Sequence, residues 1–239
     1  REAEFEMGEC HAQGVGPATR DFEEALRWWR AAARRGHARA RIKIAHAYRW
    51  GDGIAENKAL ALAWYRRAAE QGDISARVWL GECYEHGEGV RPDPGIALTH
   101  YQAAAEAGDA HGQAEYGRCL LLGVGCEIQP ARGEILLRKA AEAGWPQALN
   151  ELERHGLAQG EALLRAATSA DDRLLIDAVN WFRSAAELGH RRAAFMLAEC
   201  LRHGTGTAVD VPQAVAWYRK AAALFDAKIV LADVFYFGQ

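Results

Sequence analysis

Two neighbouring stretches of the chain repeat apolar side chains every three or four positions. One holds Ala61, Trp64, Tyr65, Ala68 and Ala69; the next holds Ala76, Leu80, Gly81, Cys83 and Tyr84. That spacing puts each set on one face of an α-helix. No stretch sustains the two-residue alternation of a half-buried strand, so the pattern predicts helices throughout.

The helical pair recurs. Gly36, Gly72, Gly108 and Gly144 stand 36 residues apart, and Gly51, Gly87 and Gly123 keep the same interval half-way between them. Around the first set lie RWWRAAARRGH, AWYRRAAEQGD, THYQAAAEAGD, LLRKAAEAGW, NWFRSAAELGH and AWYRKAAALFD; around the second lie HAQGVG, YRWGDG, YEHGEG, LLLGVG and LRHGTG. One unit therefore reads as helix A, a Gly-x-Gly loop, helix B and a Gly turn, the last suited to the left-handed residue that closes a helix. Gly81, Gly117, Ala45 and Ala198 share a helix A column whose small side chains let helix B approach closely. A two-helix unit cannot bury its apolar face alone, so the units must stack. The expected boundaries are 1–37, 38–73, 74–109, 110–145, an irregular 146–190, 191–226 and a truncated 227–239.

The irregular unit is nine residues too long, since Gly144 and Gly189 are 45 apart rather than 36. It is expected to contain a longer helix A, an extra short helix near 160–168 and a helix B resuming at about 174. Insertions in repeats map to loops on one face, often a binding face, which makes 156–173 a candidate contact region. Arg1 starts inside a helix A, and Leu231, Ala232 and Phe235 fit another, after which Phe237-Gly238-Gln239 stops at the loop. The chain thus reads as an excised piece with further repeats in its parent.

These motifs resemble the Sel1-like repeat (SLR) family, relatives of the tetratricopeptide repeats. The pattern is L-G-x-x-Y, then G-x-G, then A-x-x-W-Y-x-x-A-A-x-x-G, and 38–73, 74–109 and 191–226 fit it best. The resemblance covers nearly the whole chain. It implies an all-α, right-handed α-α superhelical solenoid of about six helix–loop–helix repeats. It also implies a role as an adaptor or scaffold, mostly bacterial, in secretion, envelope assembly or signalling. Some relatives staple each repeat with a disulfide, but this chain lacks the second cysteine column.

Candidate chemistry is sparse. Cys10, Cys83, Cys119 and Cys200 share one helix A column and read as small apolar residues. That column sits too far from its copies, at about 10 Å between packed helices, for bridges that need about 7 Å or less. Only Cys119 and Cys126 are close enough in sequence to pair, and unpaired cysteines favour a reducing compartment, with the periplasm or envelope implied by the resemblance. The nine His residues form no metal signature; His37 and His190 follow turn glycines and read as solvated turn residues. The Gly-x-Gly loops lack the Lys-Ser/Thr ending of a phosphate cradle. Trp28, Trp64, Trp181 and Trp217 read as a core column. No cofactor, metal or catalytic constellation is expected.

In tetratricopeptide repeats helix A lines the concave face. Carried over by position, one groove column holds Phe5, Ile42, Val78, Ala114, Asn150 and Phe195; a second holds Glu9, His46, Glu82, Arg118, Arg154 and Glu199. A third holds Arg49, Glu85, Leu121 and Arg202 beside Trp50, His86, Leu122 and His203, and a fourth holds Arg39, Ser75, His111, Gln147 and Arg192. The partner-binding set expected from these columns is Arg39, Ile42, His46, Arg49, Trp50, Val78, Arg118, Arg192, Phe195 and Arg202. Such a strip suits an acidic or amphipathic protein or peptide. The net charge of −3 gives no broad field for nucleic acid, although 24 of the 29 basic residues are Arg. No apolar run approaches the roughly 20 residues of a membrane span. The leading expectation is a non-catalytic interaction scaffold. An architectural spacer in an envelope or secretion assembly and a hydrolase are the alternatives.

Overall fold

The computed structural model describes residues 1–15, 20–167 and 172–222, and among them every regular element is a helix. The A helices are α1 (Glu2–Gln13), α3 (Ala38–Trp50), α5 (Ile74–His86), α7 (Ala110–Leu122), α9 (Pro146–Ala166) and α11 (Arg191–His203). The B helices are α2 (Phe22–Arg34), α4 (Lys58–Ala69), α6 (Pro94–Glu106), α8 (Pro130–Glu142), α10 (Asp172–Glu187) and α12 (Val211–Ala221). They fall into two compact units, Arg1–Trp145 and Pro146–Gln239. The expected truncated repeat 227–239 lies outside the described residues.

Local chemistry sets the helix ends. Asp21, Asn57, Asp73, Asp93, Asp109 and Asp210 are N-caps whose side chains accept the backbone N–H three residues on. His37 and His190 fill the same role: the Ala40 and Ala193 N–H groups each donate to a His Nδ1 at 3.2 Å. These two histidines are therefore capping groups and not solvated turn residues, and His37 is buried. Both glycines of each described Gly-x-Gly loop hold positive φ, as do the turn glycines Gly36, Gly72, Gly108, Gly144 and Gly189.

Every described helix pair but one is locked by an aromatic ring against a small residue; in α7–α8 the buried Leu137 takes the place of the ring against Gly117. Tyr65, Tyr101, Phe182 and Tyr218 are fully buried, and Trp29 nearly so. A Cβ on Gly81 would lie 2.4 Å from the Tyr101 ring, and one on Gly8 would lie 2.4 Å from Trp29. The core aromatic is thus the second of the Trp-Tyr pair. The Trp28, Trp64, Trp181 and Trp217 column is only half-buried, because adjacent helical residues point about 100° apart and helix A has room for one of them.

The long unit departs from expectation. Residues 146–166 form one unbroken helix, with no separate short helix at 160–168. Gly160 takes the place of Gly81, since its Cβ would lie 2.5 Å from the Phe182 ring. Gly117 to Gly160 is 43 residues, seven over the period, and Gly160 to Phe182 is 22 where Gly81 to Tyr101 is 20, two over. Seven of the nine extra residues therefore precede Gly160 in helix A and two lie between Gly160 and Phe182. The groove columns shift with them: Arg154, Leu157 and Glu161 occupy the positions expected for Gln147, Asn150 and Arg154.

Candidate functional site

A helices of successive repeats touch each other directly, α5 with α7 and α9 with α11. This contact decides the fate of the apolar groove column. Val78 is completely buried among Tyr101, Tyr116 and Cys119, and Phe5, Ile42 and Ala114 are buried as well. The column lies between neighbouring helices and not on an open surface, so Val78 has no surface to offer a partner and Ile42 has almost none. Phe195 is half-buried, its ring edge-on to Tyr218 at 5.7 Å.

The groove cations are likewise not free. Arg49 is only 8% exposed; its Nη2 donates to Glu82 at 2.9 Å and its Nε lies 2.6 Å from Glu88. Arg118 Nη2 donates to Glu85 at 2.6 Å and its Nε to Glu115 at 2.8 Å. Lys43 pairs with Glu9 at 2.8 Å, and Arg192 with Glu161 at 3.0 Å. Arg202 is half-buried near Tyr218, whose hydroxyl also meets Glu199. Of the expected cations, Arg39 stays exposed with no ion pair among the described residues. The signal for these pairs is in the sequence: 49 with 82, and 85 with 118, are opposite charges 33 apart, one repeat less about one helical turn.

What remains is an aromatic ladder in the first unit, running from α3 across α5 and α7 to Trp145. Trp50 and His46 have ring centroids 4.7 Å apart, His46 and Trp79 4.6 Å, Trp79 and His111 5.6 Å, and His111 stacks on Trp145 at 4.3 Å. The Arg49 guanidinium sits 5.3 Å from the Trp50 ring centre and 5.4 Å from that of Trp79. Trp50 is 53% exposed at the open end of the ladder. Beside it a cleft of about 230 Å³ is lined by Trp29, Trp50, His46, Phe22, Lys43 and Glu9. Of the expected partner-binding set, His46 and Trp50 lie in this ladder. Trp79 and Trp145 were missed, although both are tryptophans that fall outside the helix B Trp column.

Electrostatics makes the ladder apolar at neutral pH. Burial first, then Lys43 and Arg49, holds the His46 imidazole down to about 4, and burial lowers His111 against the pull of Glu115 and Asp109. The unfolded chain takes up the His46 proton near its ordinary value of 6.5. The contribution is therefore whole above about pH 6.5 and is lost as pH falls from there to about 4. At about 1.4 kcal/mol per pH unit the loss is on the order of 3 kcal/mol. Denaturant unfolding at stepped pH should show this slope, and His46→Gln should flatten it; an identical slope in the variant would contradict the assignment.

Burial also pushes the Cys83 and Cys119 thiols up to about 12 and Cys200 up to about 11, so these three offer no thiolate near neutrality. All five cysteines are free thiols; Cys126, the one sequence neighbour of Cys119, donates to the Cys119 carbonyl oxygen at 3.7 Å. Among the described residues no group of three or more His, Cys, Asp or Glu side chains is placed to hold a metal ion. No described helix is long and apolar enough to cross a membrane.

Comparison with known proteins matches this architecture. The profile of the Sel1 repeat fits residues 1–37, 38–73, 74–109, 110–145, 163–190 and 191–224. A solved Sel1 repeat protein from Oxalobacter formigenes is 28% identical with a TM-score of 0.64, the match covering 98% of this chain and 65% of that one. The protein c5321, a protective antigen present in uropathogenic Escherichia coli strains and displaying an SLR fold, is 27% identical with a TM-score of 0.57, covering 98% of this chain and 56% of that one. The chain thus spans less than two thirds of either relative. No curated protein sequence matches it.

Proposed function

Because the chain belongs to the Sel1 repeat family, we propose that it is a non-catalytic protein-interaction scaffold whose inner A-helix face receives an amphipathic segment of a partner protein. The observation that carries this reading is the Trp50–His46–Trp79–His111–Trp145 ladder, which keeps aromatic rings in register across successive repeats. Rigid aromatic surface with an exposed Trp at its end is the composition of a binding hot spot. The neighbouring Arg49 and Arg118 already hold carboxylates of this chain, so the partner's anchors on this face are apolar or aromatic side chains and not acidic ones.

The test is selection of binders from a random-peptide display library, followed by titration of the selected peptides. They should be rich in aromatic and apolar residues. Trp50→Ala should weaken them by about 1–3 kcal/mol, roughly five- to 150-fold, while leaving the helical signal intact. Peptides that bind the variant as tightly as the parent protein would place the interface elsewhere.

A further inference from the structure

Charge along the chain is uneven in a way the inner face does not use. Residues 25–51 carry eight basic side chains and no acidic one, in a chain whose net charge is −3. Arg27, Arg35, Lys43 and Arg49 find carboxylates. Arg30, Arg34, Arg39 and Arg41 do not, and neither do Arg66 and Arg67 of the next repeat, among the described residues. Arg30 and Arg66 donate instead to the hydroxyls of Tyr48, at 3.4 Å, and Tyr84, at 2.6 Å; Arg41 donates to the Arg67 carbonyl oxygen at 3.0 Å. Arg67 lies 5.2 Å from the ring centre of Trp64, which packs against the α2 core. A Cβ on Gly36, just past α2, would come within 3.9 Å of Gln71, just past α4. Arg34, Arg41 and Arg67 thus stand at one edge, where α2 and α4 end and α3 begins, while Arg30 and Arg66 reach from the last turns of α2 and α4 to tyrosines of α3 and α5.

Helix stability accounts for only part of this cluster. Arg34, Arg66 and Arg67 lie in the last turns of their helices, where cations complement the helix dipole. Arg41, with Arg39, lies in the first turn of α3, where the dipole opposes a cation and no acidic residue offsets it. The end of helix B is otherwise acidic at this edge: the exposed Glu70, Glu106 and Glu142 stand where the first repeat has Arg34. Such a local reversal with no gain in helix stability is the mark of a functional surface.

We propose that this edge, formed by Arg34, Arg41 and Arg67 with Arg30 and Arg66 behind them, docks an acidic segment of a partner protein. Guanidiniums bind carboxylates through two parallel hydrogen bonds, and here tyrosine hydroxyls and a backbone carbonyl hold several of them in place. The segment must be short. A long polyanion following the edge would meet Glu70, Glu106 and Glu142 in turn, which sets a nucleic-acid strand or an extended anionic membrane against the charge pattern. The site is separate from the ladder and stands without it.

Fluorescence anisotropy of a labelled octaglutamate peptide tests the proposal, with a single-stranded oligonucleotide and anionic phosphatidylserine vesicles as parallel probes. The peptide should bind at low salt and weaken as salt rises. The Arg34→Glu/Arg67→Glu double variant, altered at two exposed positions, should lose about ten-fold or more, whereas Trp50→Ala should not change it. Undiminished binding to the double variant, or no binding by the parent protein at low salt, would overturn the proposal. Tighter binding of the oligonucleotide or the vesicles, lost in the same variant, would overturn it in favour of a nucleic-acid or lipid surface.

Discussion

Replacing Tyr101 with alanine should lower the unfolding free energy by about 3–5 kcal/mol, the largest effect expected of any single side chain here. Its ring is fully buried and fills the space that Gly81 leaves open, so truncation opens a cavity between α5 and α6 and the adjoining repeat. Its hydroxyl donates to Glu85 at 2.9 Å, and Glu85 in turn accepts from Arg118. Tyr101→Phe keeps the ring and removes only the hydrogen bond, so it should cost about 1 kcal/mol. Denaturant melts separate the two. Equal losses for Phe and Ala would show that the hydrogen bond, and not the ring in its slot, holds the pair of helices.

Arg49→Ala should be nearly as damaging, at about 2–4 kcal/mol. Removing one member of a buried ion pair leaves the other charged in a poor solvent; here Glu82 and Glu88 lose Arg49 together, although Lys58 still stands 3.5 Å from Glu88. Both retain some exposure, which keeps the figure below that of a sealed pair. Burial already holds the Glu82 carboxyl above its ordinary range, with Arg49 as the main opposing influence. Without Arg49 that value rises further. The deficit of the variant should therefore be greatest at neutral and alkaline pH and should shrink as pH falls and Glu82 takes up a proton. A constant deficit between pH 8 and pH 5 would mean that lost packing, and not the stranded carboxylates, is responsible. The sequence pattern places Arg49 on an open groove column, from which the same substitution would be expected to leave folding intact; the ion pairs reverse that expectation.

The fold was legible because its determinants are local and repeated. A glycine at positive φ every 36 residues and a small residue in every A helix are features that a chain displays without being folded. The site was only partly legible, because it depends on what one repeat does to the next. Val78 has the polarity of a groove residue, but α7 covers it. Arg118 looks like a recognition cation until Glu85, 33 residues earlier, is brought alongside. His37 and His190 differ from Asp73 and Asp109 in chemistry yet cap their helices the same way, since an imidazole Nδ1 accepts a backbone N–H as a carboxylate does. Trp79 and Trp145 gain meaning only when His111 is placed between them.

The seven residues added ahead of Gly160 in α9 are a matter of rotational phase. At 100° per residue, seven residues turn a helix through about 700°, only about 20° short of two full revolutions. Gly156 and Gly160 therefore still face α10, while the helix has grown by about 10 Å. Had all nine extra residues entered the helix, the same face would have turned through a further half revolution and pointed Gly160 away from Phe182. The two residues left over lie between the helical faces, where they do not disturb the angle. A repeat of this kind thus accepts length in quanta set by the helix itself. An engineered insertion of seven residues into another A helix should keep its glycine facing its aromatic ring, whereas one of five would not.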